Sequence, residues 1–126
     1  MKKLLFALTM SAMLQASGES LAASDSCDKQ IGKSQYNKCV ACHSVKPGVH
    51  KMGPSLHGLI GRKAGAVKGF GFSYAMEQAG FVWTQESLDQ FLESPMQSVP
   101  GTVMPFGGMQ NSDQRKALIC YLQQFQ

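Results

Sequence analysis

The sequence is short of several things, and each shortage closes off a class of protein. It has no apolar run of the roughly twenty residues that a membrane-crossing helix needs. The longest, Leu4 to Leu14, is already broken by Thr9 and Ser11. It has no block of like charge and only a mild basic excess, 12 Lys and Arg against 8 Asp and Glu. That excess is too dilute for a nucleic-acid-binding face. Internal repeats and low-complexity tracts are absent, so one ordinary domain accounts for the 126 residues. The Gly-rich middle of the chain shows no strand-type alternation of apolar and polar residues.

What is present begins with an export signal. Lys2 and Lys3 precede the apolar run, a polar patch from Gln15 to Ser20 follows, and Leu21-Ala22-Ala23 supplies small residues for cleavage. This order predicts a signal peptide over residues 1–23, cut after Ala23 with Ala22 as the alternative, and a domain over 24–126. Ser24-Asp25-Ser26 before Cys27 is unlike the run of a lipoprotein signal. The expected location is the periplasm, with no stable membrane insertion. A domain of that size has a modest core. Such domains often gain stability from a metal, a disulfide or a cofactor.

The spacing of apolar residues predicts three main helices and an all-α fold. The first runs from about Asp25 toward Cys39. The second starts at Thr84, a good N-cap, carries Leu88, Phe91 and Leu92 on one face, and is limited by Pro95. The third starts near Ser112 and carries Leu118, Tyr121, Leu122 and Phe125. Between the first two lies a long stretch containing Gly48, Gly53, Gly58, Gly61, Gly65, Gly69, Gly71 and Gly80. A loop of that length is unusual in a compact domain. It makes sense if the backbone wraps closely around a large rigid object.

Cys39-Val40-Ala41-Cys42-His43 names that object, because C-x-x-C-H is a c-type haem attachment motif. On one helical turn both thiols reach the two vinyl groups on one edge of the porphyrin. His43 then lies under the ring and offers a nitrogen to the iron. A thioredoxin-type dithiol would want a βαβ pattern, which is missing. A zinc site would want a second knuckle, which Cys27 and Cys120 do not form. A second axial ligand is expected from a methionine, whose thioether raises the reduction potential. Outside the signal the candidates are Met52, Met76, Met96, Met104 and Met109. Met104 lies between Pro100 and Phe106 in a loop that Pro100 and Pro105 stiffen. Position alone favours it over Met109 or Met96 without excluding them.

Over about ninety residues, Gly32 to Leu122, the chain resembles the class I cytochromes c, the mitochondrial type and its small bacterial relatives. The matching segments are Cys39 to Ser44, Gly53-Pro54-Ser55-Leu56-His57-Gly58, Gly61-Arg62-Lys63, Phe72-Ser73-Tyr74, Val82-Trp83, Pro100 to Phe106 and Ala117 to Leu122. The resemblance implies three main helices with long loops around one covalent haem c. It implies Cys39 and Cys42 as thioether positions and His43 and Met104 as axial ligands. Pro54 would hold the other nitrogen of His43, and Tyr74 and Trp83 would bond a haem propionate. Gly32 would let the first helix cross close to Tyr121.

The chain also departs from the family pattern. Phe91 stands where many members have a tyrosine whose hydroxyl reaches the methionine sulfur. Met96, Gln97 and Val103 stand where mitochondrial members place lysines around the exposed haem edge. The stretches from Tyr36 to Cys39 and from His43 to Pro54 are each one residue shorter than usual. Cys120 takes a position usually held by a small residue. It is either a buried thiol or, because the first and last helices cross in this family, the partner of Cys27 in a disulfide.

The function these features imply is a soluble, monomeric one-electron carrier, not an enzyme. Its partners would be a quinol-oxidising complex or dehydrogenase as donor and an oxidase or reductase as acceptor. The alternative is a haem peroxidase or gas sensor in which Met104 leaves the iron. That alternative lacks a distal acid–base pair, since His50 and His57 read as loop histidines.

Overall fold

The computed structural model describes residues 27–126. The expected signal peptide, and the domain's first residues Ser24 to Ser26, lie outside the described residues. The first helix begins where Asp28 makes it begin. The Asp28 carboxylate accepts the backbone N–H groups of Gln30 and Ile31 at 3.0 and 2.9 Å, satisfying donors that have no partner in the first turn. Helix α1 therefore spans Lys29–Tyr36. Among the described residues it is shorter than the expected segment, because Asp28, as a capping residue, stands outside the helix and beyond Tyr36 the chain goes on in turns.

Two one-turn helices, α2 (Tyr74–Glu77) and α4 (Pro95–Ser98), were not expected. Helix α3 (Gln85–Glu93) has Thr84 as N-cap, in a reciprocal capping box with Ser87, and buries Leu88, Phe91 and Leu92 as predicted. Ser94 separates it from α4, whose first residue is Pro95, where a missing N–H costs nothing. Helix α5 (Ser112–Leu122) is capped by Asn111 and buries Leu118, Ile119 and Leu122. Among the described residues there is no strand, only an isolated antiparallel bridge between Lys63 and Val82.

The frame is the crossing of α1 and α5. Gly32 lies at the crossing, as the resemblance implied. A Cβ there would stand 2.6 Å from Tyr121 Cβ and would run into the Ala117 carbonyl oxygen. Beside it the Tyr36 and Tyr121 rings pack at 5.6 Å. A disulfide joins Cys27 to Cys120 with a Cα separation of 5.6 Å. Of the two states open to Cys120, the bridged one is present.

Arg115 ties α5 to α3. Its side chain is buried, with Nε and Nη2 donating to the two Asp89 carboxylate oxygens at 2.7 and 3.1 Å. Nη1 donates to the Met109 and Gln110 carbonyls at 2.7 and 3.1 Å. The core of Leu59, Trp83, Leu88, Phe91, Leu92, Leu118 and Leu122 does not close on itself. It lines one side of a cavity.

Candidate functional site

The C-x-x-C-H segment continues α1 as a further helical turn. Cys39 N–H donates to the Tyr36 carbonyl at 2.8 Å, and Cys42 and His43 N–H both donate to the Cys39 carbonyl, at 3.0 and 2.8 Å. This places Cys39, Cys42 and His43 on one wall of a cavity of about 310 Å³. Both thiols are unbridged and half-buried. Burial pushes the Cys39 thiol above its ordinary range, with nearby Lys38 acting against it.

Two hydrogen bonds hold His43. The Tyr36 hydroxyl donates to its carbonyl at 3.0 Å. Its ring Nδ1 lies 2.7 Å from the Pro54 carbonyl oxygen. A carbonyl accepts only, so Nδ1 carries the proton and Nε2 keeps its lone pair. Gly53 lets this happen, since a Cβ there would sit 2.7 Å from both ring nitrogens. Burial pushes the imidazole below its ordinary range, with the Pro54 bond acting against it, and so favours the neutral ring that can bind a metal.

The other walls come from distant parts of the chain. Phe70, Phe72, Met76, Trp83, Leu88, Phe91 and Leu118 line the cavity together with Thr102, Met104 and Phe106. Met104 is the candidate methionine that the fold brings here from the Pro100–Pro105 loop. Met109 is instead packed in the core, with its N–H donating to Leu92 at 2.7 Å, and Met96 stands exposed outside the lining. Met52 and Met76 also line the cavity, so position in the fold narrows the choice without the sequence motif but does not reduce it to one.

Trp83 is in the lining, edge-on to Phe81 and Phe91 at 4.8 and 5.1 Å. Tyr74, which the resemblance paired with it, is not: the residue is 77% exposed and outside the lining. The reason is local. Ser73 caps α2, and the inward position of that single turn is taken by Met76. Arg62 was given no role from sequence, yet it lines the cavity half-buried. Its guanidinium donates to the Ser55 and His57 carbonyls at 3.0 and 3.1 Å. The backbone pairing of Arg62 with Trp83, 2.9 Å, sets the two side by side.

No family model matches the chain. Cytochrome c type-1 of Ascaris suum is 44% identical over 98 residues, spanning 77% of this chain and 88% of that protein. Cytochrome c2 of Blastochloris viridis is 37% identical over 126 residues, 99% of this chain and 94% of its own length. The chain belongs to the cytochrome c family. Among solved structures, cytochrome cH from Methylobacterium extorquens aligns with a TM-score of 0.73 at 36% identity, covering 77% of this chain and 98% of its own. The fold is therefore that of the class I cytochromes c, and the protein is an electron carrier rather than an enzyme.

Haem c with its iron is the cofactor of this cytochrome c, as of its relatives. The cavity fits it. Two unbridged thiols one helical turn apart, an imidazole with one nitrogen already engaged, and a thioether all border one mostly apolar space. Among the described residues no helix is long and apolar enough to cross a membrane.

Proposed function

We propose that this cytochrome c is an exported, soluble, one-electron carrier. Cys39 and Cys42 form its two thioethers, and His43 and Met104 are its axial ligands. The observation that carries this reading is the convergence of all four residues on one cavity, with His43 Nδ1 engaged by Pro54 at 2.7 Å. When bound, haem c supplies an iron that cycles between ferrous and ferric states.

The chain's own residues do the rest. Pro54 fixes the tautomer and orientation of His43, which keeps Nε2 as the coordinating atom. Phe72, Met76, Trp83, Leu88, Phe91 and Phe106 exclude water, and a dry surrounding favours the less charged, reduced state. With His43 and Met104 both holding the iron, a substrate would find no open coordination site. That favours electron transfer over the peroxidase or sensor alternative. Residues 1–23 are read as the signal that delivers domain 24–126 to the periplasm. There the carrier would work as a monomer between a quinol-oxidising complex or dehydrogenase and an oxidase or reductase.

The test is the spectrum of the purified holoprotein and its Met104→Ala variant. The wild type should show c-type haem bands and the weak far-red sulfur-to-iron band at neutral pH, and should resist added carbon monoxide. Met104→Ala should lose the far-red band, bind carbon monoxide readily and drop in reduction potential. A band that survives in Met104→Ala and disappears in Met76→Ala would reassign the ligand. A wild type that already binds carbon monoxide would overturn the carrier reading.

A further inference from the structure

The chain has moved its charge away from one side of the cavity mouth. Ser94 to Ser112, nineteen residues, contain no Asp, Glu, Lys or Arg. Within that stretch burial alternates from Thr102 to Gly107. Thr102 is buried and Met104 and Phe106 are half-buried, whereas Val103, Pro105 and Gly107 are exposed. Val103 is 77% exposed and still borders the cavity. So does Met52, also 77% exposed, which comes from the His43 side. The third contributor, Phe70 to Ser73, is uncharged as well.

The exposed cation in the lining is next to α1; the other, Arg62, is half-buried with its guanidinium on the Ser55 and His57 carbonyls. Lys38 is in the lining, with its ammonium on the Gln35 side-chain oxygen at 2.6 Å. Lys51 adjoins Met52, with its ammonium on the Val40 carbonyl at 2.5 Å. The formal charges divide the same way along the chain. Residues 27–68 hold seven Lys and Arg62 against Asp28 alone, and residues 69–126 hold five carboxylates against Arg115 and Lys116. Four of those five, Glu86, Asp89, Glu93 and Asp113, are on α3 and α5.

We propose that this mouth is an apolar docking face. The partner it fits is a redox protein with an apolar platform that carries carboxylates on one flank only, opposite Lys38 and Lys51. The proposal rests on the electron-carrier reading above and adds the chemistry of the partner. A partner ringed by carboxylates would leave most of them facing Val103, Pro105 and Phe70 with nothing to pair, and a desolvated unpaired charge opposes binding. Apolar contact at the centre with one charged flank gives an encounter that salt weakens only slightly.

The experiment is voltammetry of the holoprotein on gold bearing either mixed methyl/hydroxyl-terminated or carboxylate-terminated thiol monolayers, at low and high salt. On the apolar monolayer the wild type should give a one-electron wave at its solution potential, with coverage changing less than about twofold between the two salts. The double variant Met52→Lys/Val103→Lys should lose about tenfold coverage there and gain coverage on carboxylate at low salt. Val82→Lys adds charge at an exposed position outside the lining, and should behave as wild type. Solution spectra of each variant establish that it has kept its haem and ligands.

Wild type that adsorbs only on carboxylate and leaves with salt would overturn the proposal. So would a double variant equal to wild type, or a Val82→Lys variant that loses as much as the double. Failure of the carrier reading looks different. It would show as no wave on either monolayer and abnormal haem bands in solution.

Discussion

Arg115 is the residue whose role is hardest to see in the chain and clearest in the fold. It sits between Gln114 and Lys116 on a helix that begins among polar residues, a context in which a cation usually faces water. In the structure it is 5% exposed and serves Asp89 and two loop carbonyls at once. Asp89 holds the guanidinium charged by hydrogen bond and field. Arg115→Ala leaves the Met109 and Gln110 carbonyls without that donor, and it unpairs a partly exposed carboxylate. We expect a loss of about 2–3 kcal/mol in denaturant unfolding of the holoprotein, with Arg115→Lys recovering only part of it. Arg62 was overlooked for a similar reason, since nothing near it in sequence reports that Ser55 and His57 turn their carbonyls toward it. Cys39, Cys42 and His43 were legible because spacing alone encodes their geometry. Met104 was favoured by its proline-flanked loop but singled out only by the family pattern, because five methionines compete and a lone thioether carries little local signature. Tyr74 stands exposed at the start of a one-turn helix whose buried position is Met76, which its motif alone does not convey.

At the scale of elements, the longer helices were readable where a cap and an apolar face coincide. Thr84 with Leu88, Phe91 and Leu92 shows this, and the last helix was readable from the spacing of Leu118, Tyr121 and Leu122. The four-residue helices α2 and α4 are too short to display a period. The crossing of α1 and α5 could not be inferred from α1 itself, whose apolar marks are sparse. Its legibility came from the family resemblance, which assigns Gly32 to the crossing and so brings Cys27 and Cys120 within reach of each other. The Cys27–Cys120 bridge closes a loop of 93 residues. In the chain-entropy picture this stabilises the folded state by about 4.6 kcal/mol, through restriction of the unfolded chain. The Cys27→Ser/Cys120→Ser variant should therefore fold with intact haem bands. Its guanidinium midpoint should fall well below the wild type's, and, with the haem iron kept ferrous in every sample, dithiothreitol should lower the wild type's midpoint toward the variant's without affecting the variant.

At the scale of the whole molecule, the cavity is wrapped rather than filled by protein. Leu59, Trp83, Leu88, Phe91, Leu118 and Leu122 belong both to the core and to the cavity wall, so the cofactor and the core stabilise each other. A domain this small cannot leave one face of its core uncovered at little cost. The Cys39→Ser/Cys42→Ser chain, unable to hold haem covalently, should lose most of its near-ultraviolet circular dichroism and unfold at far lower denaturant. Saturating added haem should restore part of that stability by binding the folded state alone.

The bridge between Cys27 and Cys120 also changes what a broken peptide bond would mean. With Cys27 clasped to Cys120, the chain between them is in effect a ring. A single protease cut in the exposed Gly-rich stretch opens that ring without releasing a fragment. Both pieces remain joined at the far side from the cut, one carrying Cys39 to His43 and the other Met104. A carrier built this way can be nicked once and still present every residue of its cavity from a single molecule.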